Sequence, residues 1–253
     1  MTELMNQVNK LKLFGMKESI DYRLVEAMKA NMAYQDLLTL LLEDESLYRE
    51  NRRSDSLRKR AKFKDRATLE EFDVSVGRGV NKGMLKQLQT LRFMDDKENI
   101  ILVGGTGAGK SFLAQAIGHT SCQRGRETVF ISMNIIFEQI DAAEKAGTYL
   151  FFLKRLSKAH LLILDDFALR NYTHHEATTL YQILEDRYRK GSTIITSQVK
   201  PKGWKTLFED EVIAEAIIDR MVSCAHEIEI KNSASMPSYR GNHAPKKRIS
   251  VDS

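Results

Sequence analysis

The sequence predicts an α/β fold in three layers: a five-stranded, mainly parallel sheet covered by helices on both faces, with a small helical unit ahead of it. Three observations predict it. From Asn99 onward, short apolar runs alternate with segments of helical period, the pattern of a parallel sheet with crossover helices. A glycine-rich stretch, Gly104 to Gly109, joins one such run to one such helix. Residues 1–66, by contrast, carry helical spacing only.

The chain has 253 residues, enough for one α/β domain of ordinary size and a small appendage. Apolar residues make up 42% and charged residues 29%, the balance of a soluble globular protein. No apolar run approaches the ~18 residues of a membrane span, so no membrane partner is expected. The opening stretch, MTELMNQVNKLKLFGMK, alternates at helical spacing without a signal-peptide core. Cys122 and Cys224 lie far apart without metal-ligand spacing, so the expectation is a cytoplasmic protein whose reduced thiols sit in the core. The net charge of +5 is concentrated: Arg49 to Arg66, RENRRSDSLRKRAKFKDR, holds nine Lys/Arg and three Asp/Glu, net +6, which leaves the remainder near −1. A concentrated basic patch binds polyanions where a scattered excess does not.

In chain order, Leu4, Val8 and Leu11 share a helical face, and Gly15 is expected to separate this first helix from the next. Leu37, Leu38, Leu41 and Leu42 repeat with helical period, and from Tyr34 the pattern can run through Leu47 into the basic segment. Residues 1–66 therefore read as a helical, basic domain. Ala67 to Gly83 loses that period and carries three glycines, so 67–97 reads as a junction into the core at 98–232. NIILV is a buried strand, and Lys110 to Thr120 a helix. TVFIS is a second strand, after which Asn134 can cap a helix bearing Phe137, Ile140 and Ala143 that ends near Gly147. LLILDD is a third strand. Thr173 with Glu176 has the form of a capping box and opens a helix with Leu180, Ile183, Leu184 and Tyr188 on one face. STIITS is a fourth strand, a helix through Val212, Ile213, Ala216 and Ile217 follows, and HEIEI is a fifth strand. Residues 233–253, with Pro237, Pro245 and KKR, read as a flexible basic tail.

The glycines have a chemical reading. Gly104, Gly109, Lys110 and Ser111 fit G-x-x-x-x-G-K-[ST] between a strand and a helix, which makes the core a P-loop sandwich. In the stretch Gly104, Gly105, Thr106, Gly107, Ala108, Gly109, Lys110, Ser111 and Phe112, phosphate oxygens can rest on backbone N–H groups that larger side chains would block. The helix N-terminus adds donors and partial positive charge. Lys110 can reach the β- and γ-phosphates, and the Ser111 hydroxyl can ligate Mg²⁺. LLILDD supplies the acids: Asp165 to hold Mg²⁺, directly or through its waters, and Asp166 to polarise the attacking water. The alternative is a pair that ends a strand and caps the next helix. TVFIS between the two motifs fits the P-loop ATPases with an additional strand. At the end of ITSQ, Gln198 is the best-placed side chain to hold the attacking water from the other side, with Thr196 and Ser197 as rivals; each can instead bond neighbouring backbone.

If the basic helix continues through Arg66, then Arg49, Arg53, Arg60 and Lys64 project within about 60° of one another at ~100° per residue, flanked by Arg52 and Lys59. They form a stripe that can follow a duplex DNA backbone without reading bases, more weakly as salt rises, and Arg58 and Lys62 of the same segment are counted with them as DNA-binding residues. The alternative is a solvated helix face. Phe63 can stack on a base or pack in the core. His174 and His175 lack a third ligand nearby. Trp204 is expected to pack the loop after the fourth strand, and the junction from Phe72 to Val80 is a candidate for adenine contacts.

LVGGTGAGKSFLAQAIG, LLILDDF, LEDRYRKGSTIITSQ and AIIDRMV, preceded by YRENRR and ATLEEFD, occur in the order found in IstB-like proteins, so about residues 35 to 232 resemble that family. These are helper ATPases of insertion-sequence transposition, in the AAA+ class and near the DnaC-type helicase loaders. The resemblance implies ATP and Mg²⁺ as cofactors, ATP hydrolysis, self-assembly on duplex DNA and a transposase partner. It makes Gly104 to Ser111 the Walker A loop, Asp165 and Asp166 Walker B, Gln198 sensor 1, and Arg220 the arginine finger reaching a neighbouring subunit's γ-phosphate. Arg220 can equally be a surface arginine at a helix end. Two features depart from most AAA+ proteins: Asp166 stands where Glu is usual, and the chain stops too soon after the fifth strand for a helical lid and its arginine sensor. A helicase loader is the second reading. A small-molecule phosphotransferase is the third, without an acceptor-pocket signature or an arginine-rich lid.

Overall fold

The computed structural model describes residues 2–74 and 79–231. They fall into two compact units, residues 2–57 with Gln123–Gly125, and the described residues of Arg58–Cys122 with those from Arg126 onward. The expected tail at 233–253 lies outside the described residues.

The first unit is helical: α1 (Thr2–Lys10), α2 (Phe14–Ala30) and α3 (Tyr34–Ala61), the last turn of which belongs to the second unit. The break between α1 and α2 does not fall at Gly15. It falls just before, where Lys12 is left-handed at φ 55°. Gly15 is instead in the first turn of α2, where a Cβ would stand 2.6 Å from both the Asp44 carbonyl oxygen and Tyr48 Cβ, so the missing side chain lets α2 touch α3. Under that contact the buried Glu45 carboxylate accepts the orphan N–H groups of Gly15 and Met16, at 2.7 and 3.2 Å. Burial pushes the Glu45 carboxyl upward, but hydrogen bonds from Arg49, Met16 and Gly15 outweigh it and hold the group below its ordinary value.

The second unit contains α4 (Lys82–Thr90), α5 (Arg92–Asp95), β1 (Asn99–Val103), α6 (Lys110–Gln123), β2 (Thr128–Ser132), α7 (Ile136–Lys145), α8 (Tyr149–Lys158), β3 (Leu161–Phe167), α9 (His174–Arg187), β4 (Ser192–Ser197), α10 (Glu211–Val222) and β5 (Ala225–Glu229). The five strands are all parallel, in the order β2-β3-β4-β1-β5. Successive residues of a strand point to opposite faces. Ile101, Val103, Leu162, Leu164 and Ile195 therefore join one buried cluster, and Ile100, Leu102, Ile163 and Ile194 the other. The expected three-layer sandwich is the observed one, and β4 lies between β1 and β3.

The elements that differ have local causes. Asn134 does not cap α7; Ile135 occupies the cap position without a side-chain bond, and the Asn134 N–H donates to Ser132 Oγ at 3.4 Å. The unexpected α8 exposes Leu150 and Phe151 at 78% and 74%, so apolar residues on its outer face blur the helical period. The unexpected α4 is capped by Asn81, which accepts from Met84 N. The basic helix does not reach Arg66: it ends at Ala61, and Lys62 turns left-handed at φ 60°. Cys122 is in the core as expected, whereas Cys224 is exposed.

Two expected anchors and one unexpected one, Arg187, hold the second unit together. The Thr173–Glu176 capping box is formed at the start of α9. Trp204 is fully buried, its indole N–H donating to the Val199 carbonyl at 2.8 Å and its ring packed on Phe167. At the other end of α9, Arg187 is buried and donates to the carbonyls of Leu156, Ser157 and Ala159 at the end of α8, to the Ser192 carbonyl and to Thr193 Oγ1. Those dipoles compensate a charge that burial alone opposes, as its pKa, pushed down to about 9, registers.

Candidate nucleotide and metal site

The site lies at the C-terminal ends of β1, β3 and β4, the edge of an open parallel sheet where ligands collect. Past Val103 the chain leaves the sheet through Gly104, whose N–H donates to the Ser197 carbonyl at 3.2 Å. A Cβ on Gly104 would stand 2.2 Å from the Ile230 carbonyl oxygen, so this glycine serves the packing of the segment after β5. Gly107 and Gly109 have φ of 77° and 99°, a backbone that L side chains adopt at a cost. Together they fold the loop back over the N-terminus of α6. Lys110 is buried at the first position of that helix, and its ammonium donates to the carbonyls of Gly104 and Gly105 at 2.7 and 2.9 Å. Ser111 is half-buried beside it. The glycine-rich segment thus has the strand–loop–helix form that a phosphate loop requires.

Across β4, Asp165 and Asp166 sit on a bulge. The β3–β4 register shifts between Leu164 and Phe167, and Asp166 is left-handed at φ 60°. One side chain organises the pair: Thr196 Oγ1 donates to Asp165 Oδ1 at 2.8 Å and accepts from the Asp166 backbone N–H at 2.9 Å. Asp165 is buried, while Asp166 is half-buried at the sheet edge. Of the three strand-end candidates, Ser197 is committed to its own turn through Val199 and the Trp204 indole. Gln198 is exposed and reaches the phosphate loop, accepting from Thr106 Oγ1 at 3.1 Å. Thr196 and Gln198 therefore divide the work, one holding the acids and the other touching the loop.

The donors suit a magnesium ion. Ser111 and Asp165 offer hard oxygens, and among the described residues no group of three His, Cys, Asp or Glu forms an all-protein cage. Mg²⁺ characteristically keeps waters and shares substrate phosphates with one or two protein oxygens.

A residue expected on the DNA stripe lies here instead. Lys64, beyond the end of α3, places its ammonium 3.7 Å from Asp165 Oδ2 and 5.5 Å above the Phe130 ring. No local sequence signal links the two, which are far apart in the chain. On α3, Arg49, Arg53 and Arg60 project within about 40° of one another, as helical spacing requires. Arg49 pairs with Glu45 at 2.6 Å, Arg53 donates to the Gly125 carbonyl, Arg60 stands 4.0 Å from Glu127, and Arg52 lies over the Tyr48 ring. Lys59 and Lys62 are exposed, and Arg58 is half-buried.

Arg220 ends α10 at the opposite edge of the sheet. Asn99, the first residue of β1, donates to its carbonyl at 3.3 Å, so a strand length of roughly 15 Å separates it from the phosphate loop of the same chain. Its guanidinium bonds Glu185 at 2.5 Å and Asp219 at 2.8 Å and lies over the Tyr188 ring. In the junction, Phe72 is buried with its ring 6.5 Å from Phe112 on α6. Residues 75–78 of the expected adenine segment lie outside the described residues.

Known proteins agree with this architecture. The chain matches the family described as IstB-like ATP binding protein over residues 6–246. An insertion-sequence ATP-binding protein of Mycobacterium tuberculosis is 33% identical over 96% of this chain and 95% of its own length. The IS21 ATP-binding protein of Pseudomonas aeruginosa is 30% identical over 95% of this chain and 89% of its own. Among solved structures, DnaI aligns with a TM-score of 0.56 at 22% identity over 65% of this chain and 91% of that one. AMPPCP-bound DnaA from Aquifex aeolicus aligns at 0.54, with 23% identity over 66% of this chain and 51% of that one. These two share the fold of the second unit. A glycine loop on α6, a paired acid bulge across β4 and a match along almost the whole chain lead to one conclusion: this chain belongs to the family of IstB-like ATP-binding proteins.

Proposed function

We propose that the protein is a DNA-dependent ATPase that assembles on duplex DNA and assists the transposase of an insertion sequence. The observation that carries the reading is the Thr196-organised acid pair facing the phosphate loop across one strand. Binding ATP requires Lys110 to exchange the carbonyls of Gly104 and Gly105 for the phosphates. Ser111 and Asp165 would hold Mg²⁺, which would neutralise charge on the phosphates. Asp166 orients a water for in-line attack, with Gln198 beside the loop to fix it from the other side. Arg220 is too far from its own chain's loop to act there, so it would complete a neighbour's site and tie turnover to assembly. The exposed basic side chains of α3 provide salt-sensitive contacts to DNA phosphates. The insertion-sequence relatives, one of them 33% identical, support the transposase as the partner.

Phosphate release with and without duplex DNA tests the reading. ATP turnover stimulated severalfold by duplex, and absent from Lys110→Ala, is expected. Turnover indifferent to DNA but dependent on a small acceptor would replace it with a phosphotransferase.

A further inference from the structure

The segment that follows the basic helix is built onto the phosphate-loop helix. Lys62 ends α3 in a left-handed turn, and the backbone N–H groups of Lys64 and Asp65 then both donate to Gln115 Oε1, at 2.7 and 3.0 Å. Gln115 is itself buried on α6, and its amide donates back to the Ser111 carbonyl at 3.2 Å. Phe63 lies 4.2 Å from the His119 ring, and a Cβ on Gly118 would stand 2.6 Å from the Phe63 ring. A buried amide and a glycine therefore fix the turn at which Lys64 leaves the backbone. The Lys64 side chain is 55% exposed, yet its ammonium ends 3.7 Å from an Asp165 carboxylate that is 2% exposed.

A buried carboxylate needs a counter-charge. Here one oxygen of Asp165 has the Thr196 hydroxyl and the other faces Lys64. A divalent cation on Asp165 would be a second positive charge within a few ångströms of that ammonium. The flexible four-carbon stem of lysine allows it to withdraw toward solvent, beside exposed Lys62 and Arg66 on the same segment. There it is available to a phosphate.

We infer that Lys64 is an exchangeable counter-cation: it compensates Asp165 in the metal-free site and passes to a DNA phosphate when a divalent cation takes that carboxylate. Linkage is reciprocal, so DNA that draws Lys64 away strengthens metal binding, and metal that displaces Lys64 strengthens DNA binding. This inference rests on the nucleotide site and duplex binding proposed above. It adds a contact by which one reports on the other.

The test is Mn²⁺ binding to the full chain at saturating ADP, followed by electron paramagnetic resonance, with and without a short duplex of random sequence. Without DNA, Lys64→Ala is expected to bind Mn²⁺ about tenfold more tightly than the unaltered protein. Duplex is expected to tighten Mn²⁺ binding by a similar factor in the unaltered protein, and by less than twofold in Lys64→Ala and Lys64→Gln. Unfolding temperatures establish that each variant is folded. Unchanged Mn²⁺ affinity in folded Lys64→Ala overturns the counter-cation role. An undiminished duplex effect in that variant overturns the linkage. Failure of the unaltered protein to bind duplex at all would instead refute the proposed function, and the DNA-free comparison would still decide the role of Lys64.

Discussion

The Thr196 hydroxyl donates to Asp165 Oδ1 over 2.8 Å while accepting the Asp166 N–H over 2.9 Å, so one side chain at the end of β4 sets both acids on β3. Thr196→Val keeps the shape and removes both bonds. It leaves a buried carboxylate short of a donor and a bulge N–H without its acceptor, which costs roughly 1–3 kcal/mol. A lower unfolding temperature is expected, together with at least a tenfold loss of ATP turnover and little change in nucleotide affinity measured without Mg²⁺. Full turnover in Thr196→Val would show that the acids keep their geometry without it.

Asp166 occupies a left-handed backbone at φ 60°, a conformation that only glycine adopts freely and asparagine tolerates. Two substitutions separate its backbone cost from its chemistry. Asp166→Asn should bind ATP normally and lose turnover by a factor of ~100 or more, the scale of a lost general base. Asp166→Gly should be equally inactive while being at least as stable as the unaltered protein, because strain of order 1 kcal/mol is relieved. An active Asp166→Asn would remove the residue from catalysis.

The cores of β1 to β4 and the phosphate loop were legible because their signals are local: apolar runs bounded by turns, and glycines required by backbone geometry. Asn81 capping α4 and the apolar outer face of α8 are not legible in the sequence, the first because the junction around it lacks a period, the second because Leu150 and Phe151 break one. The end of α3 at Ala61 was hidden by charge, since basic residues continue on both sides of the turn. The Lys64–Asp165 pair joins residues about a hundred apart in sequence through the docking of one turn on Gln115, and nothing in either neighbourhood announces it.

Arg187, part of the LEDRY stretch, does work that is visibly structural. It donates to four carbonyls and the Thr193 hydroxyl from a position 1% exposed. Arg187→Met would strand the carbonyls at the end of α8 in the core. A loss of roughly 3–5 kcal/mol is expected, lowering the melting temperature by on the order of 10 °C. A melting temperature within a degree or two of the original would mean that water replaces the guanidinium at no cost.

The proposed DNA surface predicts a particular salt behaviour. Neutralising Arg49, Arg53 and Arg60 to Gln should weaken duplex binding and flatten the dependence of its logarithm on salt by about 0.9 for each phosphate no longer neutralised. Arg49 also supports Glu45, which anchors the start of α2, so Arg53→Gln with Arg60→Gln alone is the cleaner pair. It should retain the melting temperature and still lose up to about two units of slope. An unaltered slope in that pair would move the DNA surface off α3.

Arg220 gives the sharpest test of assembly, because the fold places it at the far end of β1 from the loop of its own chain. Arg220→Ala retains an intact loop and acid pair but offers no arginine to a neighbour. Asp166→Asn retains the arginine but has no working acid. Each should be inactive alone. Mixed in equal amounts, interfaces that join the Arg220→Ala loop to an Asp166→Asn arginine are complete, about one in four under random head-to-tail association. Phosphate release by the mixture should therefore recover to about a quarter of the unaltered rate, and recovery should vanish on dilution below the assembly threshold. An Arg220→Ala protein with normal turnover would assign the arginine to its local partners, Glu185, Asp219 and the Tyr188 ring, and leave any arginine finger to another residue.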